Sequence, residues 1–172
     1  DITGVTISKV QYDYVKSNVP IEIIYSDLHD YNPNDRFDVC LFIESFCHLE
    51  NPLKVLYNIR DCSNKIILRE YHLKSDDYPK KYVDSWLMNI YKKDEMISLF
   101  DKIGFKLTFD ENHYDYSLEP TLNYWLDNLK KIDNSEKTHH INTLEFSARY
   151  LKKNLNQVLN DIGLSTFIFE KC

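Results

Sequence analysis

The chain has 172 residues, enough for one domain and too few for two comfortable ones. Its formal net charge is −6 and its pI is near 5.5, without a Lys/Arg stripe, which argues against a polyphosphate partner such as nucleic acid. No apolar run approaches the roughly 18 residues of a membrane span, and the first residues do not resemble a signal peptide.

The vocabulary is rich in Lys, Asn, Ile and Tyr, poor in Gly, and has a single alanine, Ala148. This is composition drift rather than a functional signal. Cys40, Cys47, Cys62 and Cys172 form no CxxC pair and sit mostly in predicted strands or helices. They read as small reduced apolar residues of a cytoplasmic protein.

In chain order, the apolar, β-branched run Ile2 to Ile7 predicts a strand that stops at Ser8 and passes directly into a helix over Lys9 to Ser17. Ile21 to Tyr25 is a second short strand, followed by an Asp/Asn-rich loop around Pro33. Phe37 to Ile43 is a continuous apolar strand of the kind buried on both faces of a parallel sheet. Pro52 to Arg60 predicts a helix with Pro at its first position, and Lys65 to Glu70 a strand. Trp86, Leu87 and Ile90 suggest a short helix inside a mixed stretch. Asp94 to Ile103 is a clearer one, ended by Gly104. Phe105 to Phe109 is a strand and Pro120 to Lys130 a helix. Glu136 to Asp161 carries one long apolar stripe closed by Gly163, before a final strand over Leu164 to Glu170. Strands alternating with helices predict an α/β fold, a Rossmann-like, mostly parallel sheet with helices on both faces.

In such a sheet the carboxyl ends of the strands meet at one rim, where open α/β proteins bind nucleotides. Thr6 and Ile7 end one predicted strand, Asp27 and Leu28 follow the next, and Ile43, Glu44 and Ser45 end the third. Asp27 reads either as an acceptor for an exocyclic amine, with backbone at Leu28 completing an adenine edge, or as a loop acid capping its own turn. Glu44 ends an apolar strand, where a charge is costly unless it pairs or works. His139-His140 lacks a metal-ligand pattern, His113 suits a surface loop, Asp76-Asp77 a solvated turn, and neither a GxSxG elbow nor a P-loop is present.

The segment GVTISKVQ (Gly4 to Gln11) resembles the GxTLSxxQ segment of class I S-adenosylmethionine-dependent methyltransferases of the cyclopropane-fatty-acid-synthase, tocopherol and geranyl-diphosphate methyltransferase group. In the same order, SDLHDYNPNDRFDV resembles the group's acidic loop, IESFCHLENP its ESxxHxxxP turn and MISLFDKIGFKL its helix-Gly-Phe-strand step. LEPTLNYWLDNL is similar to its T-x-x-x-W-x-x-N-L helix, and LSTFIFEK to its closing strand. Together the pieces cover nearly the whole chain.

The resemblance implies S-adenosylmethionine as cofactor. Thr6, Ile7 and Gln11 would lie by its ribose and methionine parts, Asp27 and Leu28 by the adenine, and Ile43 at the boundary with the acceptor. It implies Glu44 and His48 as catalytic residues, and Tyr124 and Trp125 as lining the pocket of a small-molecule acceptor. It implies one methyltransferase domain over residues 1–172, with a substrate-covering helical insertion around 112–161. Two departures stand out. Cys47 replaces an acid found in many relatives, which disfavours a lipid-cyclopropanating enzyme. The N-terminal strand and Gly-rich turn of the family are missing, since the chain holds only Gly4, Gly104 and Gly163. By the family's architecture that strand is central, so the expectation is that a preceding segment or a second chain completes the sheet. The competing reading is a catalytically silent binding or partner subunit.

Overall fold

A computed structural model describes residues 1–78, 80–133, 135 and 138–172. Strand β1 (Thr3–Thr6) leads through Ser8 into α1 (Lys9–Asn18). The Ser8 hydroxyl accepts from the Gln11 N–H at 3.3 Å and so satisfies one of the open donors of the first turn. Strand β2 (Glu22–Tyr25) returns alongside β1, and the two pair in parallel from Thr3–Glu22 to Thr6–Tyr25.

Strand β3 (Cys40–Ile43) pairs in parallel with β4 (Lys65–Leu73). Between them lie a 3-10 turn (Phe46–His48) and α2 (Pro52–Ile59), which has Asn51 as its side-chain cap and Pro52 in its first turn. Beyond β4 come α3 (Lys80–Ser85), β5 (Tyr91–Lys92), α4 (Lys93–Asp101) and β6 (Phe105–Asn112). Helices α5 (Tyr114–Leu129), α6 (His139–Lys153) and α7 (Leu155–Asp161) follow, then β7 (Ile162–Lys171). The larger sheet runs β3-β4-β7-β6, with β5 parallel to the end of β4 and β7 antiparallel to both its neighbours. Strands β1 and β2 form a sheet of their own, and both that pair and β3–β4 are parallel.

Two cores hold this together. One packs the larger sheet against α2 and α4, with Phe46, Leu56, Ile66, Leu68, Phe100, Phe105, Phe167 and Phe169 buried, and Phe100 stacked on Phe169 at 3.8 Å. The other lies under α5–α7 and takes in Leu118, Leu122, Ala148, Leu151, Val158 and Ile162.

Four local expectations are corrected. The helix near Trp86 lies earlier, at Lys80–Ser85. It ends where Leu87 adopts φ 53° and the Asn89 N–H is drawn to the Cys47 carbonyl at 2.7 Å. Pro120 sits inside α5 instead of starting it, because the helix begins at Tyr114, with the Asn112 side chain accepting from the Tyr114 N–H. The long stripe is two helices, broken at Asn154 (φ −111°, ψ 26°), whose side-chain amide bonds the Tyr150 carbonyl. Its expected start at Glu136 lies outside the described residues. Gly163 closes no helix. It lies in β7 opposite His72, where a Cβ would come 2.3 Å from the imidazole Nε2. Gly104, by contrast, ends α4 with φ 83°, as the sequence predicts.

Candidate active site at the carboxyl rim

At the end of β1 the Thr6 hydroxyl donates to the Gln11 side-chain carbonyl at 2.8 Å and accepts from the Ser8 N–H at 3.1 Å. The strand end and the first turn of α1 thus form one polar corner, with Ile7 exposed beside it. The Ser26 N–H, just past β2, donates to the Thr6 carbonyl, so the ends of β1 and β2 lie together.

Asp27 follows directly. Its Oδ1 accepts from both the backbone N–H of His29 (2.8 Å) and His29 Nδ1 (2.7 Å), and the backbone bond is the main reason its pKa lies below the usual carboxylate value. Asp27 therefore does cap its own turn. Its Oδ2 has no partner among the described residues, and neither has the Leu28 N–H. A free acceptor and a free donor thus stand on adjacent residues. The Leu28 side chain packs on the first core.

His29 joins the two halves of the rim. Its Nε2 accepts from the Asn51 N–H at 3.1 Å and its carbonyl from Asn58 Nδ2 at 3.0 Å. Asn51 is reached only after β3 has ended, so the carboxyl ends of β2 and β3 share one rim, and β1, parallel to β2, adds its own.

At the end of β3, Ile43 is 55% exposed and Glu44 takes φ 48°, a left-handed conformation costly for a side chain other than glycine. Three bonds hold it there. The Glu44 N–H donates to the Arg69 carbonyl at 2.7 Å, the Arg69 guanidinium pairs with Oε1, and the Tyr71 hydroxyl donates to Oε2 at 3.2 Å. Arg69 and Tyr71 project from one face of β4. The opposite face carries Glu70, 1% exposed, which accepts the Cys47 N–H at 3.0 Å and the Tyr71 N–H at 2.9 Å. Burial pushes the Glu70 pKa up, and those backbone bonds offset only part of the shift. Burial, followed by the charge of Glu70, also raises the Cys47 thiol.

His48 is the last residue of the 3-10 turn, with Nδ1 donating to the Leu87 carbonyl at 3.3 Å. Trp125 packs half-buried against the second core, while Tyr124, its neighbour on α5, is 69% exposed. Thr6, Gln11, Asp27 and Leu28 therefore lie together at the ends of β1 and β2, tied through His29 to Asn51 beyond β3, whose own end carries Ile43 and Glu44; among the described residues no hydrogen bond joins Tyr124 or Trp125 to them. Tyr71 stacks edge-on against Tyr114 at 5.9 Å and so connects Glu44 to the first turn of α5. Arg69, Glu70 and Tyr71 were not singled out in the sequence.

No protein-family model matches the sequence, and no curated protein matches it in sequence. Its shape does have counterparts. Phosphoethanolamine N-methyltransferase 2 of Haemonchus contortus, in complex with S-adenosyl-L-methionine, superposes with a TM-score of 0.81 at 14% identity, over 98% of this chain and 43% of that one. A cyclopropane synthase of Mycobacterium tuberculosis gives 0.76 at 16% identity, over 99% and 70%. The [4+2]-cyclase SpnF gives 0.76 at 14% identity, over 99% and 66%. The chain has the Rossmann-like fold of the S-adenosylmethionine-dependent methyltransferases. It spans about two thirds of SpnF and less than half of the Haemonchus enzyme.

Proposed function

We propose that the chain is the greater part of an S-adenosylmethionine-dependent methyltransferase domain acting on a small-molecule acceptor. One observation carries the reading. Its support is that Thr6–Gln11 and Asp27–Leu28 lie together at the ends of β1 and β2 and that His29 bonds Asn51, beyond the β3 end that carries Ile43–Glu44. Solved proteins of the same shape are in complex with S-adenosylmethionine or S-adenosylhomocysteine.

The residues fit the adenosyl part of that cofactor. Asp27 Oδ2 and the Leu28 N–H are an unpartnered acceptor and donor side by side, which suits the exocyclic amine and adjacent ring nitrogen of adenine. The Thr6–Gln11 corner presents a hydroxyl and an amide for ribose hydroxyls, with Ile7 beside it. When bound, the cofactor supplies an electrophilic methyl group on a sulfonium.

The protein's part is to hold donor and acceptor together in a dry pocket. Glu44 presents a fixed negative charge at the meeting point of cofactor and acceptor, beside Ile43. Both its oxygens already accept hydrogen bonds, so it serves better as a stabiliser of nearby positive charge than as a freely moving base. His48, four residues further along the chain, is the candidate for proton traffic. Helices α5–α7, inserted between β6 and β7, form the cover over the acceptor, with Tyr124 and Trp125 offering aromatic faces worth about 0.5–2 kcal/mol to a cation.

Calorimetric titration of the complete protein with S-adenosylhomocysteine tests the reading. Saturable one-site heat is expected. Glu44→Gln is expected to keep that heat while abolishing turnover. Absence of heat from a folded protein would favour the catalytically silent relative.

A further inference from the structure

Two of the four cysteines stand together. Cys40 in β3 and Cys62, just past α2, bring their sulfurs to 3.3 Å, and both are free thiols. The backbone dictates this meeting. The Phe37 N–H donates to the Cys62 carbonyl at 2.7 Å, the Ser63 hydroxyl donates to the Asp38 carbonyl at 3.2 Å, and β3 pairs with β4 from Cys40–Ile66 onward. The run from Phe37 to Cys40 is thus laid against the run from Cys62 to Ile66, and both thiols reach the first core. The sulfurs of a disulfide lie about 2.05 Å apart, so this pair needs to close by only about 1 Å. Cys62 is 4% exposed and Cys40 half-buried, and both border a cleft beside β3 that admits a small oxidant. Among the described residues no other two thiols are in contact: Cys47 is buried beside Glu70, and Cys172 is exposed after β7.

We infer that Cys40 and Cys62 form a redox site, which closes to an intramolecular disulfide in the folded protein when it meets a peroxide. Cys62 is the attacking sulfur. The thiol hydrogen bond from Cys40 is the main cause that lowers its pKa, against the opposing effect of burial, so the larger share of thiolate falls on Cys62. That thiolate attacks one oxygen of hydrogen peroxide and the O–O bond breaks, giving Cys62–SOH and hydroxide. The hydroxide takes up the proton that Cys62 had released. The Cys40 thiol then attacks the sulfenic sulfur: the S–S bond forms, the S–O bond breaks, and the Cys40 proton leaves with the oxygen as water. Two thiols are oxidised to one disulfide, and one peroxide is reduced to two waters.

The new bond ties together positions 22 residues apart, the two ends of the segment that carries Ile43, Glu44, His48 and Asn51. Oxidation therefore acts on the stretch that holds the end of β3, the 3-10 turn and α2. The inference stands on the thiol pair and not on the methyltransferase reading.

The test treats the full chain with hydrogen peroxide, blocks the remaining thiols with N-ethylmaleimide and maps unreduced peptides by mass spectrometry. A linked Cys40–Cys62 peptide pair should form at least about tenfold faster than any bond through Cys47 or Cys172, and dithiothreitol should remove it. This mapping uses the wild type, so it does not depend on how a variant folds. The oxidised wild type should unfold at a higher urea concentration than the reduced protein. Cys40→Ser should form no internal disulfide and should leave a sulfenic acid on Cys62 that dimedone traps. Faster linkage through Cys47 or Cys172, bonds between chains only, or no Cys40–Cys62 pair at a peroxide concentration that oxidises Cys172 would each overturn the inference. So would a lower unfolding midpoint after oxidation, or absence of the dimedone adduct from folded Cys40→Ser.

Discussion

The carboxylate of Glu70 accepts a hydrogen bond from the backbone N–H of Cys47 at 3.0 Å, so that a buried acid of β4 holds the turn that follows Glu44. An acceptor oxygen is needed at that point, and a glutamine amide can supply only one where Glu70 uses two.

Glu70→Gln faces one of those donors with an amide N–H₂ and carries no titrating group, so it is the pH-independent reference for Glu70. The Glu70 pKa is raised by burial above the ordinary 4.5. The native state thus gains from its protonated form, a gain present below 4.5 and lost as pH rises through the raised value. The stability advantage of the wild type over Glu70→Gln should shrink as pH rises across that window. Urea unfolding of both proteins from pH 4 to pH 8 checks it, and an advantage that grows with pH would refute it.

Glu44 tolerates its positive φ only because Arg69 and Tyr71 hold its side chain. Glu44→Ala removes those bonds and keeps the backbone cost, whereas Glu44→Gly removes both. The glycine variant should be more stable than the alanine variant by about 1 kcal/mol, read from denaturation midpoints. Equal stabilities would mean that the backbone there is unstrained.

His72 is buried, with Nε2 bonded to Ser165 Oγ at 2.9 Å, and burial pushes its pKa down to about 4. Native stability from this neutral imidazole is fully present above the unfolded value near 6.5 and is lost as pH falls toward 4, a loss of about 3 kcal/mol. His72→Gln should show no such loss between pH 6.5 and 4, as measured by denaturation at each pH.

The same imidazole lies over Gly163, which is its partner in the β4–β7 ladder. Gly163→Ala should cost about 1–3 kcal/mol through overpacking. In a His72→Ala background that cost should vanish, and a cost that persisted would place the strain in the backbone instead.

Much of this architecture was readable because short-range chemistry decides it. Ser8 marks the start of α1, Pro52 the start of α2 and Gly104 the end of α4, each by a cap or a φ that a neighbouring residue enforces. The rim was readable because a parallel α/β sheet brings its strand ends together. What escaped depended on partners distant in the chain. Strand β4 runs on to Leu73 because β7 pairs with it over its full length, and Gly163 belongs to that ladder. Glu70 was overlooked as the last residue of an apolar run. Strict alternation from Ile66 through Leu68 puts it on the buried face, and that signal was available. Asn154 breaks the long stripe by bonding backward to Tyr150, a contest between side chain and backbone that periodicity does not report.

The central claim is that three strand ends grip one adenosyl group, and the backbone amides of those ends report on it directly. In a titration of isotopically labelled complete protein with S-adenosylhomocysteine, followed by amide chemical shifts, Thr6, Gln11, Leu28 and Ile43 should move together and saturate with one dissociation constant. Shifts confined to other parts of the molecule, or none at all from a folded protein, would contradict it.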